Sequence, residues 1–244
     1  MPARKEVLQQ KSNPTSQTMA AHALQQRATA QTKDQTSRMT QIIPAILTKN
    51  ADRARSQLTE IAKHGNKVHL DIMDGNFVPN KTFTPATVPK LRTKVQKIIH
   101  AMCYHPEWYV KEWRGCKVLF HAEACPNLAE TARALRKTGK RPGIVLSPES
   151  PVRLIEPALR YVDEVLVMTV HPGFMGQKFL ARPLRKVPRI KQLKKSIKVS
   201  VDGGVHHDTA HLIAKVGADI VYVGSELWKG AYGVNLENLK KCLK

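Results

Sequence analysis

The sequence predicts a closed (β/α)8 barrel of parallel strands, a TIM barrel, preceded by a disordered N-terminal extension. Short apolar, β-branched segments alternate with amphipathic ones along most of the chain, as in βαβ units with parallel strands. Eight such units fit into about 200 residues, the number that closes a barrel. No glycine-rich turn follows the first strand, whereas an open dinucleotide-binding sheet usually carries one there.

The barrel is predicted for residues 41–244, where strands and helices follow one another in order. Runs of four to eight apolar, β-branched residues bounded by turn residues are typical of strands. The predicted strands are residues 41–47, 67–73, 95–102, 118–123, 143–147, 164–170, 198–202 and 219–224. The predicted helices between and after them are residues 52–63, 85–91, 106–113, 128–137, 151–159, 181–194, 209–216 and 236–243.

Residues 1–40 have a different composition from the rest. They are rich in Gln, Ser, Thr and Ala, with six basic and two acidic residues, which predicts a disordered or loosely helical segment. Two interpretations stay open: an organellar targeting segment, whose composition it faintly shares, or a dispensable extension ahead of Met39.

Composition excludes a fully disordered chain and an integral membrane protein. With 244 residues and 42% hydrophobic residues, the chain is long and apolar enough to bury a core. No apolar run approaches the roughly 18 residues that span a bilayer, which excludes an integral membrane protein. Cys103, Cys116, Cys125 and Cys242 form no CxxC pair, so we expect neither a disulfide scaffold nor a thiolate zinc site and predict a reduced, cytoplasmic location.

The charge is strongly positive, with 40 Lys and Arg against 19 Asp and Glu, a formal +21. Such a field attracts polyanions, phosphorylated metabolites and anionic lipid. A general basic bias, phosphate steering and nucleic-acid contact are all consistent with it.

Polar residues interrupt three strands at their carboxyl ends, where a barrel of this class keeps its active site. Strand alternation puts His69, Asp71 and Met73 on one face of the second strand and His100 and Met102 on one face of the third. Asp202 ends the seventh strand.

Each of these residues also has a structural explanation: an internal His–Asp pair, a packed histidine, or a turn aspartate. Together, two imidazoles and two carboxylates match the first shell of one divalent metal ion, zinc, manganese or iron(II). The two carboxylates could also serve as an acid/base pair in proton abstraction beside a carbonyl.

Glycines follow the last three predicted strands. Backbone N–H groups in such loops bind phosphate, and barrels of this class often hold a phosphate near their last strands. Each glycine alone is weak support, since turns use glycine anyway. The residues of this predicted phosphate site are Gly173, Phe174, Met175, Gly176, Gly203, Gly204, Gly224 and Ser225.

Four motifs carry a resemblance to a known family. Residues 69–80 read HLDIMDGNFVPN and residues 170–177 read VHPGFMGQ. HAEA at 121–124 and VDGG at 201–204 follow in matching order and spacing. Over about the last five-sixths of its length, the chain resembles the ribulose-phosphate 3-epimerase family.

The resemblance implies interconversion of D-ribulose 5-phosphate and D-xylulose 5-phosphate. It implies that His69, Asp71, His100 and Asp202 bind the metal and that Asp71 and Asp202 are the acid/base pair. It also implies that Met73, Met102 and Met168 line the active site, that the glycine loops hold the phosphate, and that the protein is a homo-oligomer.

Three positions depart from the family's usual pattern. Ala45 stands where a serine is usual, Met175 where the first of two glycines is usual, and His171 where an asparagine is usual. If position 175 requires a positive φ, methionine would be strained there. These changes leave the reaction type in place and affect the expected substrate.

Two alternative functions therefore stay open. One is 3-epimerisation of a hexulose 6-phosphate such as allulose 6-phosphate, which shares the chemistry at C3. The other is a non-catalytic basic barrel that binds nucleic acid, suggested by the net charge and by basic runs such as 186–198. Only 5% of residues are aromatic, without the interleaving of basic and aromatic residues used on single strands, so nucleic acid is the weaker expectation.

Overall fold

Eight parallel strands form a closed barrel in the order β1 to β8, with β8 pairing with β1. The computed structural model describes residues 39–84, 86–91 and 93–243. The predicted barrel is confirmed, and β2 and β7 have the predicted bounds. The strands are β1 Gln41–Ile46, β2 Lys67–Met73, β3 Gln96–Met102, β4 Lys117–His121, β5 Arg141–Leu146, β6 Glu164–Met168, β7 Lys198–Asp202 and β8 Ile220–Val223.

Helices cover the outside of the barrel. They are α1 Ala51–His64, α2 Pro106–Tyr109, α3 Leu128–Lys137, α4 Lys186–Leu193, α5 His207–Lys215 and α6 Tyr232–Cys242. Short 3₁₀ helices occupy Val88–Lys90, Ala122–Ala124, Val152–Tyr161, Arg182–Arg185 and Ser225–Trp228. Side-chain caps set two of the helix starts, because Asn50 accepts from the N–H groups of Asp52 and Arg53, and Asn127 accepts from that of Glu130.

The helix predictions differ most from the structure at four places, each with proline. The helix predicted at 106–113 ends at Tyr109, and the one predicted at 181–194 begins as the 3₁₀ helix Arg182–Arg185. The segment predicted as a helix at 151–159 is the 3₁₀ helix Val152–Tyr161, which contains Pro157. Proline has no N–H, and its ring would collide with the carbonyl four residues earlier in an α-helix. The helix predicted at 85–91 shortens to the 3₁₀ turn Val88–Lys90, which has proline in its first turn.

The two larger apolar clusters of the described residues lie on either side of the sheet. The larger one packs strand residues such as Leu70, Ile72 and Phe120 against the helices. The smaller one fills the barrel interior with side chains that include Ile43 and Leu166. Strand alternation directs Leu70 and Ile72 of β2 outward, and polar residues occupy inner positions near the carboxyl ends of β2, β3 and β7.

Strand register brings those polar residues to one level. Asp71 pairs with His100 across β2 and β3, and Asp202 pairs with Met168 and Tyr222 on its two neighbouring strands. All of these residues lie at the carboxyl end of the barrel.

Of the predicted extension, only its last two residues are described. Thr40 is buried, and its hydroxyl donates to the carbonyl of Ala218 at 2.9 Å. The prediction of disorder for residues 1–38 lies outside the described residues and stays a prediction. Within the described part of the chain, every helix is too short or too polar to cross a membrane.

Candidate active site

Four side chains meet inside the mouth of the barrel. His69 and Asp71 come from β2, His100 from β3 and Asp202 from β7, and one potential ligand atom from each lies within 4.8 Å of all the others. Both histidines are fully buried, and Asp71 is 7% exposed. Among the described residues, this is the group of histidines and carboxylates that could hold a metal ion.

Five of the six distances among these four atoms suit a tetrahedral ion. Oδ1 of Asp71 lies 3.2 Å from Nε2 of His69 and 2.9 Å from Nδ1 of His100. Oδ2 of Asp202 lies 3.4 and 3.6 Å from the same two nitrogens, which are 3.2 Å apart. Metal–ligand bonds of about 2.0 Å give tetrahedral edges of about 3.3 Å, so this donor set fits zinc, manganese or iron(II).

The same proximity shifts the protonation of the cluster. Burial acts to lower the pKa of His69, but the carboxylates of Asp71 and Asp202 outweigh it and raise that pKa to about 9. Burial acts to raise the pKa of Asp71, and the two histidines reverse this, so that the pKa lies well below its usual range. Asp71 is therefore ionised, as a metal ligand or a general base requires.

A third histidine supports His100 from behind. Nε2 of His100 lies 3.0 Å from Nε2 of His121, and Nδ1 of His121 lies 3.1 Å from Oε2 of Glu123. Oε1 of Glu123 accepts from the N–H of Ser147 at 2.9 Å. Burial lowers the pKa of His121 to about 4, so its ring is neutral at neutral pH.

These contacts select the tautomer of His121. Glu123 is ionised, because the hydrogen bond from His121 overcomes the effect of burial and lowers the pKa of Glu123 to about 2. An ionised carboxylate only accepts, so Nδ1 of His121 carries the proton and its Nε2 accepts from Nε2–H of His100. Nδ1 of His100 is thus the nitrogen that faces the cluster, 2.9 Å from Oδ1 of Asp71.

Methionines form the apolar wall of the pocket above the cluster. Met73, Met102 and Met168 are each at most 3% exposed, and they line the same pocket as Asp71 and Asp202.

The predicted phosphate residues also reach this pocket, from the loops after β6, β7 and β8. The glycines after β6 and β7 have positive φ, a conformation that favours glycine. The pocket is lined by all eight: Gly173, Phe174, Met175, Gly176, Gly203, Gly204, Gly224 and Ser225.

Met175 is accommodated without backbone strain. The positive φ angles of its loop fall on Gly173 and Gly176, and Met175 has none. The backbone strain that methionine would have at a positive φ is therefore absent at position 175. The Cε methyl of Met175 lies 3.3 Å from the position a Cβ on Gly224 would occupy, near Ala45, so two of the three departures from the family pattern lie on one side of the pocket.

Two loops meet over the pocket. The side-chain amide of Asn80, in the loop after β2, donates to the carbonyl of Gly173, in the loop after β6, at 2.8 Å. Val78 packs 3.4 Å from where a Cβ on Gly173 would stand. The loop after β2 thus covers one side of the site.

The sequence of residues 41–228 matches the model of the Ribulose-phosphate 3 epimerase family. The chain belongs to this family. A ribulose-phosphate 3-epimerase of Bacillus subtilis (strain 168) is 36% identical over 201 residues, covering 78% of this chain and 93% of the relative. One of Rhodobacter capsulatus is 35% identical over 218 residues, covering 83% and 95%. The expected enzyme class, an epimerase, is therefore confirmed.

Solved structures share the fold. A 3-keto-L-gulonate-6-phosphate decarboxylase from Vibrio cholerae O1 biovar El Tor str. N16961 superposes with a TM-score of 0.63 at 12% identity, covering 84% of this chain and 97% of that chain. A 3-hexulose-6-phosphate synthase from Salmonella typhimurium gives 0.61 at 16% identity, covering 84% and 98%. Identities this low carry information about the barrel alone.

Sequence analysis of this epimerase-family chain missed three polar residues below the cluster. Tyr222 lies against His69, and its hydroxyl donates to Glu164, which also pairs with Lys117. Lys117 and Glu164 begin their strands and Tyr222 lies within β8, so no local motif marked them. His121 and Glu123 were noted only as part of a motif, although alternation along β4 already directs His121 inward like His100.

Proposed function

We propose that this protein interconverts D-ribulose 5-phosphate and D-xylulose 5-phosphate by inverting the configuration at C3. One observation carries the proposal: two carboxylates and two imidazoles converge at the mouth of the barrel, lined by methionines and glycine loops. The names of the curated relatives support the choice of substrate. The phosphorylated sugar is accordingly the proposed partner.

His69, Asp71, His100 and Asp202 would hold the divalent metal ion. When bound, such an ion polarises the C2 carbonyl and stabilises negative charge on the enediolate oxygens. Zinc, manganese and iron(II) all suit the donor set, since imidazole and carboxylate ligands accept each of them.

Asp71 and Asp202 would move the proton at C3. They come from β2 and β7, with β8 and β1 between them around the barrel, so their carboxylates approach a substrate from different sides. One carboxylate takes the proton from C3 while the C3–H electrons form the C2–C3 double bond of the enediolate. The other, protonated beforehand, returns a proton to the opposite face, which inverts C3 and exchanges the protonation states of the two residues.

The walls of the pocket would protect this intermediate. Met73, Met102 and Met168 present an apolar surface that excludes water from the enediolate. The phosphate would be bound by the backbone N–H groups of the loops after β6, β7 and β8, with the hydroxyl of Ser225. The net charge of +21 would attract a dianionic substrate toward the protein.

The deciding experiment follows turnover of D-ribulose 5-phosphate by the purified protein loaded with Zn²⁺, Mn²⁺ or Fe²⁺. In D₂O, we expect the xylulose product to carry deuterium at C3, since a carboxylate that exchanges with solvent returns the proton. Asp202→Asn should reduce kcat by about 10²–10⁴-fold, the usual contribution of a general acid or base. Asp208→Asn, an exposed aspartate in α5, is the matched control and should keep full turnover.

Other results would assign another function. Faster turnover of D-allulose 6-phosphate than of D-ribulose 5-phosphate would make the hexulose 6-phosphate the substrate, with Ala45 and Met175 as its structural basis. No turnover of either sugar, together with salt-dependent retention of RNA, would favour the nucleic-acid alternative. Sedimentation of the active protein would test the expected homo-oligomer, and fractionation of cells the expected cytoplasmic location.

A further inference from the structure

His69 differs from most metal-binding histidines in the environment of its second nitrogen. Its Nε2 faces the cluster, whereas its Nδ1 is buried and has no hydrogen-bond partner among the described residues. A histidine that binds metal usually donates its other N–H to a carboxylate, a carbonyl or water, which fixes the orientation of the ring. Something other than a hydrogen bond to a protein group must orient His69.

The ring of Tyr222 lies against this imidazole. The two ring centroids are 4.0 Å apart and the planes differ by 30°, close to an offset stack. Tyr222 is on β8 and fully buried, and in the strand register it pairs with Asp202 of the cluster. A flat aromatic surface at this distance limits tilting of the imidazole toward β8.

Tyr222 is itself fixed by a buried ionic group inside the barrel. Its hydroxyl donates to Oε1 of Glu164 at 2.6 Å, and the hydroxyl of Ser200 donates to the same oxygen at 2.7 Å. Lys117 pairs with Oε2 of Glu164. Glu164 and Ser200 are fully buried, so the acceptor for the tyrosine hydroxyl cannot turn toward solvent.

We infer that Tyr222 is a positioning residue for His69: its ring holds the imidazole with Nε2 directed at the divalent ion, and Glu164 anchors the ring. This inference rests on the metal site of the proposed function. It assigns a role to a buried charge that is remote from the reacting carbons. The two metal histidines are then oriented by different means, His100 by hydrogen bonds and His69 by an anchored aromatic ring.

The test measures Zn²⁺ affinity of the full chain by competition with a chromogenic chelator, together with the visible spectrum of the Co²⁺-loaded protein. Tyr222→Leu removes the ring, and Tyr222→Phe keeps the ring but removes the anchor. Ile220→Val is the matched control, because Ile220 lies two residues earlier on β8 and also packs in the barrel interior. Thermal unfolding of each metal-free variant reports whether the barrel has folded.

Outer-shell partners of metal ligands typically contribute 10–100-fold to metal affinity. We therefore expect Tyr222→Leu to weaken Zn²⁺ binding by about 10–100-fold and to shift the Co²⁺ bands, with Tyr222→Phe showing a smaller change in the same direction. Ile220→Val should match the wild type in both. A spectral shift is required, since a loss of general stability alone would not alter the geometry of the bound ion.

Three results would overturn the inference or part of it, and they differ in what else they reject. Wild-type affinity and an unchanged Co²⁺ spectrum in Tyr222→Leu would reject the role of Tyr222 and leave the proposed function intact. If Tyr222→Leu does not fold, an unchanged affinity and spectrum in Tyr222→Phe would reject the anchor. A wild-type protein that binds no divalent ion would reject the metal site and this inference together.

Discussion

His69 and His100 present one nitrogen each to the same small volume, yet the rest of each ring has a different environment. Behind His100 runs a chain of hydrogen bonds through His121 and Glu123 to the backbone of Ser147. Behind His69 lies the face of Tyr222, with no hydrogen bond to Nδ1 from any described residue.

The difference has a physical consequence. A hydrogen-bond chain that ends in a carboxylate fixes both the plane and the tautomer of a ring, because each nitrogen has an assigned role. An aromatic face fixes the plane alone. It also leaves a buried N–H without a protein acceptor when Nε2 binds metal, at a cost of about 1–3 kcal/mol. The orientation of His69 therefore depends on packing against an aromatic ring, and that of His100 depends on hydrogen bonds.

The largest effect should come from a residue that both histidines share. Oδ1 of Asp71 lies within 3.2 Å of both ligand nitrogens. Asp71→Ala therefore removes a metal ligand and also the carboxylate that contacts both histidines. We expect Zn²⁺ affinity to fall by more than about 100-fold, beyond the range of an outer-shell change. Isothermal titration measures it, and affinity within tenfold of the wild type would exclude Asp71 as a ligand.

Removing the carboxylate that bonds to His121 should affect the orientation of His100 and leave that of His69 unchanged. Glu123→Ala deletes the acceptor that selects the His121 tautomer, and we expect Zn²⁺ affinity to fall by about 10–100-fold. Glu123→Gln keeps an acceptor oxygen, so its Zn²⁺ affinity should fall less. Equal losses in the two variants would show that the charge of Glu123, rather than the tautomer, matters for His100.

A still smaller effect is expected from Ser147→Ala. Its hydroxyl is 3.4 Å from Nδ1 of His121, a weak contact, whereas its backbone N–H makes the 2.9 Å bond to Glu123 and survives the substitution. We expect metal affinity to change by no more than about threefold, near the lower end of the 0.5–1.5 kcal/mol net value of a neutral hydrogen bond. A tenfold loss would place the serine hydroxyl, rather than the backbone, in the chain behind His100.

The smallest effect on metal binding should come from a charged group that is part of neither the His69 nor the His100 surroundings. Glu226 bonds to His206 at 2.8 Å, to His207 at 2.6 Å and to Lys229 at 2.8 Å. Burial acts to raise the pKa of Glu226, but these partners lower it to about 2. Glu226→Gln should leave Zn²⁺ affinity unchanged and lower the free energy of unfolding by about 1–3 kcal/mol at pH 7.

The pH dependence of that loss has a definite sign. A carboxyl whose pKa is lower in the folded than in the unfolded protein stabilises the fold above its unfolded pKa. The difference between wild type and Glu226→Gln should therefore be complete above about pH 4.5 and shrink as the pH falls toward about 2. Urea unfolding at pH 7 and pH 3 measures it. A difference that grows on acidification would contradict the ion-pair explanation.

The sequence predicted the parts of the site that local patterns encode. Alternation along β2 directs His69 and Asp71 to one face without reference to any other strand, and Leu70 and Ile72 do pack outward. Position at a strand end was enough to group Asp202 with them. The segment predicted as a helix at 151–159 is a 3₁₀ helix because Pro157, which is visible in the sequence, cannot donate an α-helical hydrogen bond.

The support of the two histidines depends on strands far apart in sequence. Tyr222 and Glu164 are separated by 58 residues, and each looks like one polar residue in an apolar strand until the closed barrel brings them together. Neither residue type nor spacing indicates such a pair. The contact of Met175 with the Gly224 side of the pocket is similar, because it depends on the path of a loop.

The pairing of the first strand with the last has a consequence for biosynthesis. The hydroxyl of Thr40 bonds to a carbonyl 178 residues later, and Gln41 is in register with Ile220. A nascent chain therefore emerges from the ribosome with the outer edge of β1 unpaired until almost the whole protein has been translated. Unpaired edges are sites of aggregation, and such distant contacts form slowly. Chains released before residue 220 would lack the partner strand and retain that open edge.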